Sequence, residues 1–318
     1  MNKYLALEYP YYNLSYKLDK KKVIQDVKNY KPIIYTNEIP HELQRERIDK
    51  YDGKYFIIKE NYNDSSKIND ITDYFSEVVR VKCRFGNYLS PLEYWTQNKK
   101  MILQKAKELS INAIRDAIFF NTKLCNNFRI TVALTVLEYF KPKKWLDISA
   151  GWGDRLMAAI LYKVKLYVSV DPNLDLHPCY DKMIETFVTP SKRKNFIIYK
   201  NGFLEAKLPD EKFDIVFSSP PFFTLEIYSQ FEENSVMKHK TEKEWCDNFL
   251  VKSLIKAYNY LKKDGIMVLY MGGSPYVMQQ MHKLDKIMKY MGIIYFYEKR
   301  PRGMFVWKKI NDDVIKTM

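Results

Sequence analysis

Residues 213–223 read FDIVFSSPPFF, an apolar run that ends in two serines, two prolines and two phenylalanines. In Ser219-Pro220-Pro221-Phe222 a hydroxyl and a carbonyl can accept hydrogen bonds, while the prolines cannot donate and stiffen the rim. An amine conjugated to an aromatic ring is a poor nucleophile because its lone pair is delocalised. Hydrogen bonds from that amine to the Ser219 hydroxyl and the Pro220 carbonyl would draw its nitrogen toward tetrahedral geometry. The lone pair would then be exposed for transfer of a small electrophilic group. Phe222 would offer a flat face to a base taken out of its stack. Such a corner works mainly by positioning and needs no strong base.

A second group of residues lies upstream. The stretch DISAGWGDR carries Asp147, Ser149, Ala150, Gly151 and Gly153. Two glycines one residue apart, between strand and helix, let the backbone turn sharply and approach a ligand. The third glycine of a dinucleotide fingerprint would fall at Leu156, so the turn departs from a pyrophosphate site. Asp171 in VSVDPN follows Gly153 by 18 residues, where an open α/β sheet presents an acid to ribose hydroxyls. Asn201 in KNG, or a neighbouring backbone group, is placed to meet an adenine. The combination favours an adenosine-bearing ligand without a pyrophosphate, a description that S-adenosyl-L-methionine fits.

Alternating strands and helices must position these groups. After Lys144 strands are expected over 144–149, 166–172, 195–202, 213–219 and 265–273, with helices over 153–163, 179–187, 245–263 and 275–292 between them. Residues 293–310 read as two strands joined at RPRG. The expected fold is α/β, a seven-stranded mostly parallel sheet with a C-terminal antiparallel hairpin. Before about residue 105 the chain is a smaller mixed region of short strands within 31–40, 54–66 and 78–91. Ser90, Pro91 and Glu93 form a capping-box signature that opens a helix expected to reach Leu109. Helices over 114–123 and 128–140 follow. The domain division expected is 1–105, an accessory substrate-binding region, and 106–318, the ligand-binding and catalytic unit.

Composition sets the outer bounds. The 318 residues are 47% hydrophobic, enough to build a core, and carry a formal charge of +14, which favours DNA or RNA as partner. Four scattered cysteines without a CxxC pair argue for reduced thiols and against a zinc or disulfide framework, so no metal is expected. No apolar run suits a signal peptide or a membrane span, which points to an intracellular chain, cytoplasmic, nuclear or virus-encoded, and not secreted.

Residues from about Asn126 to Ile310 resemble class I S-adenosylmethionine-dependent amino-methyltransferases, which carry a (D/N/S)PP(Y/F/W) motif and methylate adenine N6 or cytosine N4. FSSPPFFTLEIY, NNFRITVALTVLEYF and DISAGWGDRL are similar to the TSPPY-containing form of phage and giant-virus methyltransferases. The resemblance implies a Rossmann-like fold, cofactor contacts at Asp147, Gly151, Gly153 and Asp171, and catalytic work at Ser219, Pro220, Pro221 and Phe222. Serine at the first motif position is commoner among cytosine N4 enzymes, yet many of those place the catalytic motif before the cofactor motif. Adenine and cytosine, and DNA and RNA, stay open.

Substrate contacts are expected from Phe223, Glu226 and Tyr228 just past the motif, and from Arg300 and Arg302 in the C-terminal turn, with Lys20, Lys21 and Lys22 as a further basic group. Two rival readings remain: methylation of a protein glutamine amide, and a non-catalytic nucleic-acid-binding subunit that keeps the fold.

Overall fold

A computed structural model of the chain describes residues 2–35, 56–59, 67–223, 226–228, 235–296 and 303–318. Its strands are β1 (Ile33–Tyr35), β2 (Phe56–Lys59), β3 (Arg84–Phe85), β4 (Lys144–Asp147), β5 (Leu166–Val170), β6 (Phe196–Tyr199), β7 (Phe213–Ser218), β8 (Glu226–Ile227), β9 (Leu261–Tyr270), β10 (Met288–Phe296) and β11 (Met304–Lys309). Nine of them form one sheet in the order β1-β2-β10-β11-β9-β7-β4-β5-β6. From β10 to β6 this is the expected seven-stranded sheet, parallel except for β11, which runs antiparallel to both β9 and β10. The N-terminal pair β1–β2 extends it, with β2 parallel to β10.

Side chains alternate between the two faces, as the pleat requires. Trp145, Tyr167, Ile215, Phe217 and Val268 join the core beneath the helices Ile130–Phe140, Asp154–Tyr162 and His177–Phe187. Leu146, Val168, Val216, Met267 and Leu269 face the opposite core, shared with Trp245, Leu254 and Met281. The first of these cores also takes in Val23, Ile68, Phe75 and Val79, so the N-terminal third packs against the same sheet.

The chain lays down β4, β5 and β6 outward in one direction, then returns to place β7 on the other side of β4. The carboxyl ends of β4 and β7 therefore flank the point where strand order reverses, where open α/β sheets leave a crevice. A buried carboxylate fixes this point. Asp147, with no exposed surface, accepts from Arg155 Nε at 2.8 Å, Tyr167 Oη at 2.8 Å and Ser218 Oγ at 2.7 Å. It thereby ties the end of β4 to β5, to β7 and to the helix that follows.

Several boundaries differ from expectation. The helix opened by Ser90 stops at Lys105 and not at Leu109, because Ser110 is extended and caps the next helix through the Ala113 N–H. The helix expected over 245–263 widens into a π turn at Cys246–Leu250 and ends at Tyr260. Leu261 is fully buried opposite Phe213 and starts β9, and Lys262–Gly265 is absorbed as a bulge with Asp264 at φ 62°. The helix expected over 275–292 ends at Met281, and Met288–Gly292 belongs to β10, drawn into the sheet by pairing with β11. Residues 73–80, part of which was read as strand, form a helix, and the strand that follows is only Arg84–Phe85.

Replacing Asp147 with alanine strands the Arg155 guanidinium in the core, which should cost about 3–5 kcal/mol of stability. Combining it with Arg155→Met should recover part of that loss, since the second charge goes too. Urea denaturation of the two variants checks the order; a double variant weaker than the single one would show that Arg155 is not what Asp147 compensates.

Candidate active site

A cavity of about 490 Å³ opens at the reversal point, within the usual range for small-molecule sites. Its wall includes Ser149, Gly151, Asp171, Pro172 and Gly202 together with Ser219, Pro221, Phe222, Glu226 and Tyr228. The glycine turn and the SPPF corner thus face one continuous space.

The glycine turn divides into two roles. Gly151, at φ 60°, lines the cavity, and an added Cβ would meet only the Arg155 guanidinium at 3.8 Å. Gly153, at φ 96°, is turned inward, where a Cβ would run into Met183 at 2.7 Å. It allows the helix Asp154–Tyr162 to pack and is absent from the cavity wall. Ala150 is also buried, its N–H bonded to the Val170 carbonyl at 2.8 Å.

Asp171 stands at the end of β5, and its two carboxyl oxygens accept from the Gly151 N–H at 3.0 Å and the Asn173 N–H at 2.9 Å. The Tyr180 hydroxyl also lies against this carboxylate. Burial pushes this carboxyl up to about 6, against the Asn173 N–H, the Tyr180 hydroxyl and the Gly151 N–H, which favour the charged form. Asp154, in the first turn of the following helix, also lines the cavity and accepts from the Phe128 N–H at 3.2 Å. Burial raises its carboxyl to about 7.

The corner is held by Ser149, whose hydroxyl donates to the Ser219 carbonyl at 2.8 Å. Pro220 is buried, with Ser219 and Pro221 on either side reaching the cavity. Phe222 meets Tyr270 edge to face at 6.0 Å, and Tyr270 in turn meets Phe128 at 5.5 Å. Phe223 takes a left-handed φ of 29°, which turns it away from the cavity wall and against Trp245. Tyr228 donates to Glu226, and its ring meets Trp152 at 5.6 Å.

Fourteen expectations from the sequence can be placed within this geometry or beside it. Ser149, Gly151, Asp171, Ser219, Pro221, Phe222, Glu226 and Tyr228 come together on one cavity wall. Asp147, Ala150, Gly153, Pro220 and Phe223 lie behind it as scaffold, and exposed Asn201 yields its place to Gly202, Phe203 and Leu204. Arg300 and Arg302 fall outside the described residues. Lys20, Lys21 and Lys22 form the first turn of a helix that is not part of the cavity lining.

Other lining residues were not singled out by sequence. Phe85 arrives through β3, which pairs antiparallel with β8 just past the corner. Asn127 lines the cavity and donates to Asp73 at 2.9 Å, within a buried cluster in which Asp73 also holds Arg80, and Glu77 holds Arg115. Phe249 comes from the π turn and Tyr270 from the end of β9. The only sequence signal for Phe85 was its setting among basic residues in RVKCRFGNY. Among the described residues no group of side chains suits a metal ion, and no helix is long and apolar enough to cross a membrane. All four cysteines are buried and free.

No protein-family profile and no curated protein matches this chain. Among solved structures, the chain is similar to the N-methyltransferase NodS from Bradyrhizobium japonicum WM9, at 10% identity and a TM-score of 0.41, over 57% of this chain and 94% of that one. TrmN from Thermus thermophilus gives 13% identity and a TM-score of 0.41, over 57% and 49% of the two chains. A ribosomal protein L11 methylase from Lactobacillus delbrueckii subsp. bulgaricus gives 12% and 0.39, over 57% and 78%.

The raised Asp154 carboxyl carries a stability consequence. Its folded value of about 7 lies above the ordinary 3.8, so the folded state holds the proton longer. The stability this provides is complete at low pH and is lost as pH rises toward 7. Asp154→Asn cannot ionise, so it should match the native chain near pH 4 and exceed it increasingly above that, by about 1.4 kcal/mol for each pH unit up to about 7. Urea midpoints measured across this range test it; a constant offset would place the titration elsewhere.

Proposed function

We propose that the chain is an S-adenosylmethionine-dependent methyltransferase acting on an exocyclic amino group of a nucleobase, adenine N6 or cytosine N4, in DNA or RNA. The observation that carries this reading is the continuity of the cavity: Asp171 and Gly151 share one wall with Ser219, Pro221 and Phe222.

The residues present fit the cofactor. Asp171 offers two carboxyl oxygens, each with one N–H already bound, to a vicinal diol. Gly151 leaves the space beside it open, and Gly202, Phe203 and Leu204 provide backbone and apolar surface for an adenine. When bound, S-adenosylmethionine supplies an electrophilic methyl group on a sulfonium. At the corner, the Ser219 hydroxyl, which reaches the cavity, accepts an amine hydrogen and turns the nitrogen lone pair toward the glycine turn, while buried Pro220 stiffens the corner from behind. The bond between Ser149 and the Ser219 carbonyl keeps that corner from rotating. Phe222, backed by Tyr270 and Phe128, presents an aromatic wall to a planar base. This aromatic lining favours a nucleobase over the smaller amide of glutamine.

Asp171 must be ionised to accept from a diol with both oxygens. Cofactor affinity should therefore fall as pH drops through about 6, where its carboxyl takes up a proton. Asp171→Ala should weaken binding roughly 10- to 150-fold and abolish that step. Isothermal titration with S-adenosylmethionine reads both, and an unchanged dissociation constant in a folded variant would sink the assignment.

Ser219→Ala should leave cofactor affinity nearly unchanged and lower turnover by about 10²–10³, the cost of one hydrogen bond made best in the transition state. Phe222→Ala should instead raise the substrate KM, since stacking contributes about 1–3 kcal/mol per base, and Phe222→Tyr should be tolerated. Methyl transfer to DNA and RNA pools, followed by nucleoside mass analysis, measures these effects and names the base. Full activity in Ser219→Ala would reduce the corner to the end of a strand.

A further inference from the structure

The turn Phe85–Tyr88 stands at the rim of the cavity. Phe85 lines the cavity, and the Tyr88 N–H closes the turn on the Phe85 carbonyl at 3.1 Å. Lys123, from the segment after the helix Ile111–Asn121, reaches both rings of this turn. Its Nζ lies 5.7 Å from the Phe85 centroid and 4.4 Å from that of Tyr88. Lys123 is exposed, and Tyr88 is 47% exposed with the ammonium against it. Among the described residues no carboxylate pairs with Lys123, whereas neighbouring Arg84 is neutralised by Glu93. Three residues further on, exposed Asn126 belongs to the cavity wall.

The turn is fixed to the catalytic corner's continuation. Arg84 and Phe85 pair antiparallel with Ile227 and Glu226, and the Cys83 thiol donates to the Tyr228 carbonyl at 2.9 Å. A group resting on Tyr88 and Lys123 is therefore held at a set position relative to one entering between Phe222 and Tyr228. Two aromatic rings, one of them on the cavity wall, and a cation without a carboxylate partner among the described residues are the elements that grip a single-stranded backbone.

We propose that Phe85, Tyr88 and Lys123 form a docking surface for single-stranded nucleic acid, holding the nucleotide next to the one whose base enters the cavity. Tyr88 supplies a stacking surface for the adjacent base, and the Lys123 ammonium meets its phosphate. The inference rests on the nucleobase reading of the site and assigns the N-terminal third a direct part in substrate binding.

The test uses mixed-sequence single-stranded DNA and RNA oligonucleotides in fluorescence anisotropy across a salt series, with free nucleosides as methyl acceptors alongside. Tyr88→Ala should weaken oligonucleotide binding roughly 5- to 150-fold, the loss of one stacked base. Lys123→Gln should lower the log–log salt slope by about 0.7, the loss of one phosphate contact on a single strand. Both variants should keep the native affinity for S-adenosylmethionine and the native rate on free nucleosides, and Tyr88→Phe should bind like the native chain. If the native chain binds and methylates oligonucleotides while both variants match it in affinity and slope, the docking surface is wrong and the nucleobase reading stands. If the native chain binds neither DNA nor RNA, both fall together.

Discussion

A carboxylate with no exposed surface organises this molecule. Asp147 could not remain charged in the core without partners, because an uncompensated buried ion costs several kcal/mol. Its partners are what make the crevice. Arg155 comes from the helix after the glycine turn, Tyr167 from β5 and Ser218 from the last residue of β7. The same guanidinium donates to the Ser149 carbonyl, and the Ser149 hydroxyl holds the Ser219 carbonyl. Satisfying one buried charge thus sets where the glycine turn and the Ser219-Pro220-Pro221 corner lie relative to each other. A sheet alone would align β4 and β7 but leave their loops free to splay.

Buried ions do not generally add stability over apolar packing, so the worth of this network is better sought in placement. The N-terminal third repeats the device. Asp73 and Glu77 hold Arg80 and Arg115 in the interior, and Asp73 also takes the amide of Asn127. Asn127 and Phe128 then form part of the cavity wall, with Phe128 bonded through its N–H to Asp154. Charges placed where water cannot compete therefore define two sides of the same cavity.

Much of this was legible in the sequence where local and global preferences agree. The strands β4, β5, β6 and β7 are short apolar runs bounded by turn residues, and their order along the chain dictated where the DISAGWGDR turn and FSSPPFF would meet. The misread segments are those where a helical period and a strand pattern coincide. In KLDKIMKYMG the apolar positions Leu284, Ile287, Met288 and Met291 fit a helix, yet β11 supplies an unsatisfied edge and takes Met288–Gly292 as strand. LKKDG reads as a helix end, but burial of Leu261 beside Phe213 commits the chain to β9 and moves the Asp-Gly turn into a bulge. Gly153 shows the same limit at residue scale. A glycine between strand and helix signals a close approach, and only the fold reveals that the approaching group is Met183 and not a ligand. Phe85 and Asn127 were out of reach because their place in the wall depends on pairing and ion contacts far from them in sequence.

The two buried carboxyls on the cavity wall give the site a charge preference of its own. Asp154 and Asp171 are both raised by burial, to about 7 and about 6, so each gives up its proton reluctantly. An anion seated beside them would push both values higher and bind against that cost. A cation would lower them, and by linkage its affinity would grow as pH rises through the same window. A pyrophosphate-bearing cofactor, lacking also a third glycine at Leu156, is poorly matched to such a wall. The electrostatics of the wall and the spacing of the glycine turn thus disfavour the same class of ligand, a pyrophosphate, by separate routes.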